Sequence, residues 1–366
     1  MKKPAMPCIE TASVHFICQR MPDNAFEGNF HMRSPSLYHP VTIGSVTVEG
    51  NIFLAPLAGY TDRAFRTMCK WYGASFTYSE MVSAEGIARG GKNSDELMVR
   101  SENEEQFSIQ LFMSDAEVVA RALPRVLLFN PTVIDVNCGC PVPKVVKTGA
   151  GSSLLVEPKK IFNIVKTIVD GCDVPVSVKI RLGWDMQSIN YEETAGAALS
   201  AGASMITMHA RTKSMGYAGK ADWQALADLK RFVSSSYPSV PVFGSGDLFS
   251  AEAAKEMLET TRIDGVMFAR GAIGNPFIFQ DTITLLETNT TSSFHDIEER
   301  IAAMRTQLEL HSAIVGERLA CRQMRKHAAA YLKGISHSTK AKQELVQAST
   351  IADYEEVFKW LSEEHR

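Results

Sequence analysis

The chain has 366 residues, 45% of them hydrophobic and 22% charged, and a formal net charge of -3 at pH 7. This is the composition of an ordinary globular protein with apolar mass for a large core, and the length suits one α/β barrel of about 250 residues plus a small appendage. The slight acidity argues against wholesale coating of a nucleic acid but leaves room for a local basic patch.

Residues 1–40 mix Pro, Cys, His, Met and Asn without helical or strand periodicity, and a poorly ordered extension is expected there. Met32 lies shortly before the first hairpin pattern, and translation is expected to begin at it. Lys2 and Lys3 imitate the start of a signal peptide, but Glu10 and His15 interrupt the apolar stretch that would have to follow, so secretion is not expected. The cysteines (Cys8, Cys18, Cys69, Cys138, Cys140, Cys172 and Cys321) are odd in number and unevenly scattered, which reads as a reducing cytoplasm and not as a disulfide framework. No second Cys or His pair at ligand spacing accompanies Cys138 and Cys140, so no metal is expected. No apolar run approaches the roughly 18 residues of a membrane span.

From Val41 onward, brief runs rich in Val, Ile, Phe and Met alternate with longer amphipathic segments, the mark of βα repetition. Strands are predicted at Ile52–Pro56, Phe76–Ser79, Ser108–Leu111, Val133–Asn137, Val176–Ile180, Met205–His209, Val242–Gly244 and Gly265–Phe268. Helices are predicted at Asp62–Trp71, Asp115–Phe129, Pro158–Val169, Tyr191–Ala201, Asp222–Val233 and Ala251–Glu259, several opening on Asp, Ser or Pro as helix starts do. The fold class that follows is α/β, a (β/α)₈ TIM barrel over 41–290. After Thr290 the strand signals stop, and 291–366 read as a small C-terminal helical domain. Between Arg318 and Lys342 that domain carries Arg318, Arg322, Arg325, Lys326, Lys333, Lys340 and Lys342 with no acidic residue among them, and Arg318, Arg322 and Arg325 share one helical face.

The carboxyl ends of barrel strands are where chemistry is done, and nearly every predicted strand here exits into a reactive group. These exits hold Glu80, Gln110, Asn137 with Cys140, Lys179 with Arg181, His209 with Arg211, the GSGD run at 244–247 and the ARG run at 269–271. The most telling is DVNCGCPVPKVVKTGAGSSLL (135–155), which sets Cys140 between glycine and proline just past a β-branched strand. The last two exits are glycine-rich, where a barrel offers its phosphate site. A backbone phosphate cradle, an amide at Gln110 and a cation at Lys179 together suit flavin mononucleotide.

With these residues in view, the chain closely resembles the tRNA-dihydrouridine synthases, and is most similar to their bacterial B-type branch. The resemblance runs from about Val41 to about Gly334 and rests on LAPLAGYTDRAFR (54–66), YSEMVSAEG (78–86), IQLF (109–112), the Cys140 loop, VKIRLGW (178–184), HARTKSMGYAGKADW (209–223), GSGD, DGVMFARGAIGNPFIF (264–279) and MRKHAAAYLKG (324–334). It implies a cytoplasmic FMN enzyme that takes electrons from NADPH (or NADH) and reduces the C5–C6 bond of a D-loop uridine in tRNA. It also implies that Pro56, Leu57 and Ala58 line the flavin ring, that Gln110, Lys179 and His209 bond its pyrimidine edge, and that Ser245, Gly246, Asp247, Ala269 and Arg270 hold its phosphate. Cys140 matches the family's catalytic cysteine. The family usually carries Asn where Ser245 stands and Gly where Ala269 stands. A hydroxyl replaces only one amide hydrogen bond and an added methyl narrows the loop, so weakened flavin binding is expected, not loss.

The reduction needs hydride on one face of the uracil and a proton on the other. A thiol with an ordinary pKa near 8.5 is mostly protonated at neutral pH, so Cys140 is read as general acid. Asn137, Arg181 and Arg211 are candidates for the substrate, and Arg318, Arg322, Arg325 and Lys326 for the tRNA phosphates. No dinucleotide fingerprint is present, and a nicotinamide that only visits the flavin needs none. No obligate protein partner is evident. The alternatives are another FMN barrel acting on a free pyrimidine, and an RNA-binding relative without catalysis.

Overall fold

The computed structural model describes residues 36–291 and 294–365. The expected start at Met32 lies outside them, as does the extension apart from residues 36–40, of which Leu37 and Tyr38 pack against the main core.

A hairpin of β1 (Val41–Ile43) and β2 (Val46–Val48) precedes eight parallel strands. These are β3 (Ile52–Leu54), β4 (Val82–Ser83), β5 (Ser108–Phe112), β6 (Val133–Asn137), β7 (Val176–Arg181), β8 (Met205–His209), β9 (Val242–Ser245) and β10 (Gly265–Phe268), and they hydrogen-bond in the order β3-β10-β9-β8-β7-β6-β5-β4. The TIM barrel is therefore present. The second predicted strand, Phe76–Ser79, differs in form: it makes single bridges, Phe76 to Phe53 and Tyr78 to Ser108, instead of a continuous ladder. Its alternating amides and carbonyls nonetheless close the ring, with Leu54 N donating to Phe76 O at 3.0 Å and Ser108 N to Thr77 O at 3.0 Å.

The connecting helices are α1 (Arg63–Trp71), α2 (Ala84–Ala88), α3 (Lys92–Met98), α4 (Ala116–Leu127), α5 (Pro143–Val146), α6 (Pro158–Gly171), α7 (Tyr191–Ser200), α8 (Trp223–Ser236), α9 (Ala251–Thr261) and α10 (Ile278–Thr288). The polar residues expected to open them act as caps: the side chains of Asp62, Asp115, Asp222 and Ser250 each accept a backbone N–H from the first turn of α1, α4, α8 and α9. Beyond the barrel come α11 (Ile297–Val315), α12 (Glu317–Tyr331), α13 (Ser338–Gln347) and α14 (Ile351–Glu364), with their own core around Met304, Leu308, Met324, Tyr331 and Phe358. Met68 of α1 and Phe277 join that core, which seats the helices on the barrel flank. Among the described residues no helix is long and apolar enough to cross a membrane.

Strand alternation sorts the chemistry. Ile52, Leu54, Ile134, Val136, Val178 and Ile180 point outward to the helices. The inward positions begin apolar, with Phe53, Phe76, Val133, Met205 and Phe243 sealed below by Val41, Ile43 and Val48 of the hairpin. Toward the carboxyl ends of β5 to β9 the alternate positions are polar: Gln110, Asp135, Asn137, Ser177, Lys179, Thr207, His209 and Ser245. The barrel is a greasy plug with a polar top.

Candidate active site

A cavity of about 770 Å³ opens at that polar end. Pro56, Leu57 and Ala58 line it from the end of β3, Asn137 and Cys140 from β6, Lys179 and Arg181 from β7, and His209 from β8. Ser245, Gly246 and Asp247 line it from β9, and Ala269 and Arg270 from β10. Gln110 and Arg211 lie off the lining: Gln110 is fully buried, its oxygen accepting from Asn137 Nδ2 at 2.8 Å and its nitrogen donating to Asp135 at 2.6 Å. Gln110, expected at the flavin edge, thus lies outside the cavity lining with its amide bonded to Asn137 and Asp135.

Cys140 is 9% exposed, with its backbone N–H donated to Asn137 Oδ1 at 2.9 Å. Burial pushes its thiol above the ordinary value, although the Val142 N–H and the nearby Arg181 and Lys179 pull the other way. Arg181 holds the loop from outside, its Nε donating to Gly139 O at 2.7 Å and its Nη1 to Thr212 O and Gly216 O. Among the described residues its Nη2 has no hydrogen-bond partner, so one donor remains for a ligand. Arg211 differs. Its nitrogens go to Ala218 O, Gly219 O, both oxygens of Asp247 and His209 Nε2, which ties the loops after β8 and β9 and leaves it 1% exposed. Arg211, expected near the substrate, is thus engaged with the two loops and lies off the cavity lining.

Burial, then the charge of Arg181, lowers the Lys179 pKa to about 8, and its ammonium has no hydrogen-bond partner among the described residues. Burial and four neighbouring cations hold His209 neutral, with a pKa near 2. Because a guanidinium can only donate, His209 Nε2 accepts from Arg211 and the proton sits on Nδ1. Burial alone would raise Asp247, but the Ala221 N–H and Arg211 outweigh it and keep the carboxylate ionised.

The N–H groups of Gly246, Asp247, Arg270 and Gly271 donate to no protein acceptor among the described residues. They belong to two loops in close contact, for a Cβ at Gly271 would lie 2.1 Å from Leu248 O. Converging unpaired N–H groups with a cation alongside are what a phosphate needs. Arg270 supplies the cation, its guanidinium lying 4.3 Å from the Tyr217 ring and 5.2 Å from that of Phe249. The cradle fits a phosphate-bearing cofactor, and the Pro56–Ala58 edge and the unpaired Lys179 in the same cavity lining fit a ring with a polar edge.

Several contributors were not among the site candidates read from the sequence, although Lys333 belongs to its basic run. Tyr60, Phe249, Ala330 and Lys333 rim the cavity, the last two from α12 and the turn after it. Gly274 permits this, since a Cβ there would meet Tyr331 N at 2.3 Å, so the loop after β10 lies directly against the end of α12. Lys326 reaches back over Tyr60 at 4.8 Å. Arg318 and Arg322 are exposed, whereas Arg325 donates to the Gln347 and Ala348 carbonyls and caps the end of α13. Arg325 thus differs from its two helical neighbours in having its Nε and Nη2 engaged by the chain itself.

Residues 53–364 match the family described as "Dihydrouridine synthase (Dus)". The chain is 44% identical over 336 residues to a "Probable tRNA-dihydrouridine synthase" of Treponema pallidum (strain Nichols), covering 90% of this chain and 98% of that one. It is 38% identical over 291 residues to "tRNA-dihydrouridine synthase B" of Vibrio vulnificus (strain CMCP6), covering 80% and 89%. Among solved structures, a 2-naphthoyl-CoA reductase complex aligns with a TM-score of 0.54 at 12% identity, covering 68% of this chain and 52% of that one. A histamine dehydrogenase from Rhizobium sp. 4-9 aligns with a TM-score of 0.53 at 12% identity, covering 75% and 51%. The chain spans about half the length of either, and the likeness is one of fold.

Proposed function

The chain belongs to the dihydrouridine synthase family, and we propose from this that it reduces the C5–C6 bond of a D-loop uridine in tRNA, using FMN and NADPH, with Cys140 as proton donor. The observation that carries the reading is a mostly buried thiol, raised above its ordinary pKa, that lines one cavity together with Lys179, His209 and residues whose backbone N–H groups are unpaired. The N–H groups of Gly246, Asp247, Arg270 and Gly271 would hold the FMN phosphate, with Arg270 adding charge. Pro56, Leu57 and Ala58 would flank the ring, and Lys179 and His209 Nδ1–H would meet its polar edge. FMN held there would supply hydride chemistry toward C6, with NADPH as the source of its electrons.

The remaining work falls to the chain. Cys140 gives its proton to C5 from the face opposite the hydride. Arg181 Nη2 is placed to steady negative charge on a uracil carbonyl. The apolar rim of Val142, Tyr217 and Phe249 excludes water from the base, and turning that base out of its stack costs a few kcal/mol, which cationic contacts to the tRNA phosphates offset. We assign residues 41–290 to the flavin-binding barrel and 291–366 to the tRNA-binding helices. Arg318, Arg322 and Lys326 would be the contacts of α12 to tRNA.

Purified protein should be yellow, and its NADPH oxidation should rise with unmodified tRNA but not with orotate or dihydroorotate. Protein that stays colourless after reconstitution with FMN, or that responds to orotate instead, would sink the proposal. Replacing Arg318 and Arg322 together by glutamate should weaken tRNA binding and lower the slope of log K against log salt by about one for each phosphate no longer neutralised. The flavin spectrum should not change. Titrations over a range of salt concentrations check this, and an unaltered slope would remove α12 from the interface.

A further inference from the structure

We infer that Asp135 is a positioning residue, the fixed terminus of a hydrogen-bond relay that orients Gln110 and Asn137 and through them seats the backbone of the Cys140 loop. The inference deepens the reading of Cys140 as proton donor and rests on it.

The relay crosses three inward strand positions. Asp135 is 1% exposed inside the barrel, where Ser177 Oγ donates to one carboxylate oxygen and Gln110 Nε2 to the other at 2.6 Å. Gln110 Oε1 accepts from Asn137 Nδ2 at 2.8 Å, and Asn137 Oδ1 accepts the N–H groups of Gly139 at 3.2 Å and Cys140 at 2.9 Å. Every bond runs in one direction. At one end the backbone N–H groups can only donate; at the other, burial raises the Asp135 carboxyl to about 6, so at neutral pH it is mostly the carboxylate, which can only accept, and both amides are held in a single orientation. An amide turned the other way would face oxygen against oxygen in the buried barrel interior. The acceptor at position 135 therefore decides where the cysteine loop sits, although Asp135 lies two strand positions below Asn137 and lines no part of the cavity.

The relay makes a reciprocal prediction that packing alone does not. Asn137→Asp keeps the size but puts a carboxylate at the upper end, which forces Gln110 to turn its oxygen onto Asp135. Adding Asp135→Asn supplies a donor there, and the relay can run in reverse with its net charge restored. Asp135→Asn alone should be milder than Asn137→Asp, because its amide oxygen still accepts from Gln110.

The primary measurement is the rate at which iodoacetamide alkylates Cys140 in the free protein, followed by mass spectrometry of its peptide. Dihydrouridine formation in FMN-loaded enzyme is the second. Asn137→Asp should speed alkylation about fivefold as the loop loses its seat and slow product formation about tenfold, and the double variant should return both to within about threefold of wild type. A double variant no better than Asn137→Asp in either measurement overturns the relay. Alkylation that follows the predicted pattern in a protein that makes no dihydrouridine upholds the relay and defeats the functional reading instead.

Discussion

Replacing Cys140 by alanine is expected to lower the rate of dihydrouridine formation by about 10²- to 10⁴-fold, the range a positioned proton donor supplies. Flavin content and reduction by NADPH should survive, because the loop is anchored through the backbone N–H groups of Gly139 and Cys140 and not through the sulfur. The physical argument is one of protonation. Burial lifts the Cys140 thiol above its ordinary value, with Arg181 and Lys179 only partly opposing it, so the proton is held at neutral pH. A donor works in its protonated form, so the alkaline fall in rate should begin above the ordinary thiol range, and that limb should vanish in the variant. Single-turnover reduction of tRNA by pre-reduced enzyme across pH is the measurement. Product formation near the wild-type rate would remove Cys140 from the proton transfer.

The largest expected effect on stability comes from Glu104→Gln. Glu104 is 1% exposed and accepts from Arg66 Nε at 2.8 Å, Arg66 Nη2 at 3.2 Å, Thr77 Oγ1 and Ser101 N. Arg66 belongs to α1 and Thr77 to the segment that closes the barrel ring, so this carboxylate ties the closure to the first helix. The glutamine has the same shape but leaves the Arg66 charge buried without a counter-ion, at a cost of about 3–5 kcal/mol. Burial alone would raise the Glu104 pKa, but Arg66, the Ser101 N–H and Thr77 outweigh it and hold it below the usual carboxylate range. The sign follows: the contribution is fully present above the unfolded carboxylate value and is lost as pH falls through the depressed folded one. Urea unfolding at neutral and acid pH checks both points. A variant with the wild-type midpoint at neutral pH would show that the pair contributes little.

How much of this was legible beforehand depends on the kind of information each residue carries. Seven of the eight predicted barrel strands form as ladder segments near their predicted bounds because an apolar run bounded by turn residues has few other fates in a repeating βα chain. The second strand, Phe76–Ser79, reads the same in sequence but is split between two neighbours, a matter of ring geometry that no local pattern encodes. Candidate residues at strand ends converge on one cavity because inward positions recur at every second residue. Gln110, Arg211 and Arg325 show the limit. Their side-chain type is visible in sequence, but whether a donor is free depends on acceptors such as Asp135, Asp247 and Ala348, which only the fold brings near. Asp135 was missed for the same reason: a lone carboxylate in an apolar strand has partners 25 and 42 residues away.

The seam at Gly274 constrains any attempt to recombine parts of this protein with those of its relatives. With no room for a side chain between that glycine and the backbone of Tyr331, the rim that would grip the cofactor phosphate and the helix that would meet the nucleic acid are one mechanical unit. A chimera spliced at residue 290, where the strand pattern ends, would graft a foreign helix onto a native rim. The workable junction lies upstream of Arg270, so that both sides of the seam travel together.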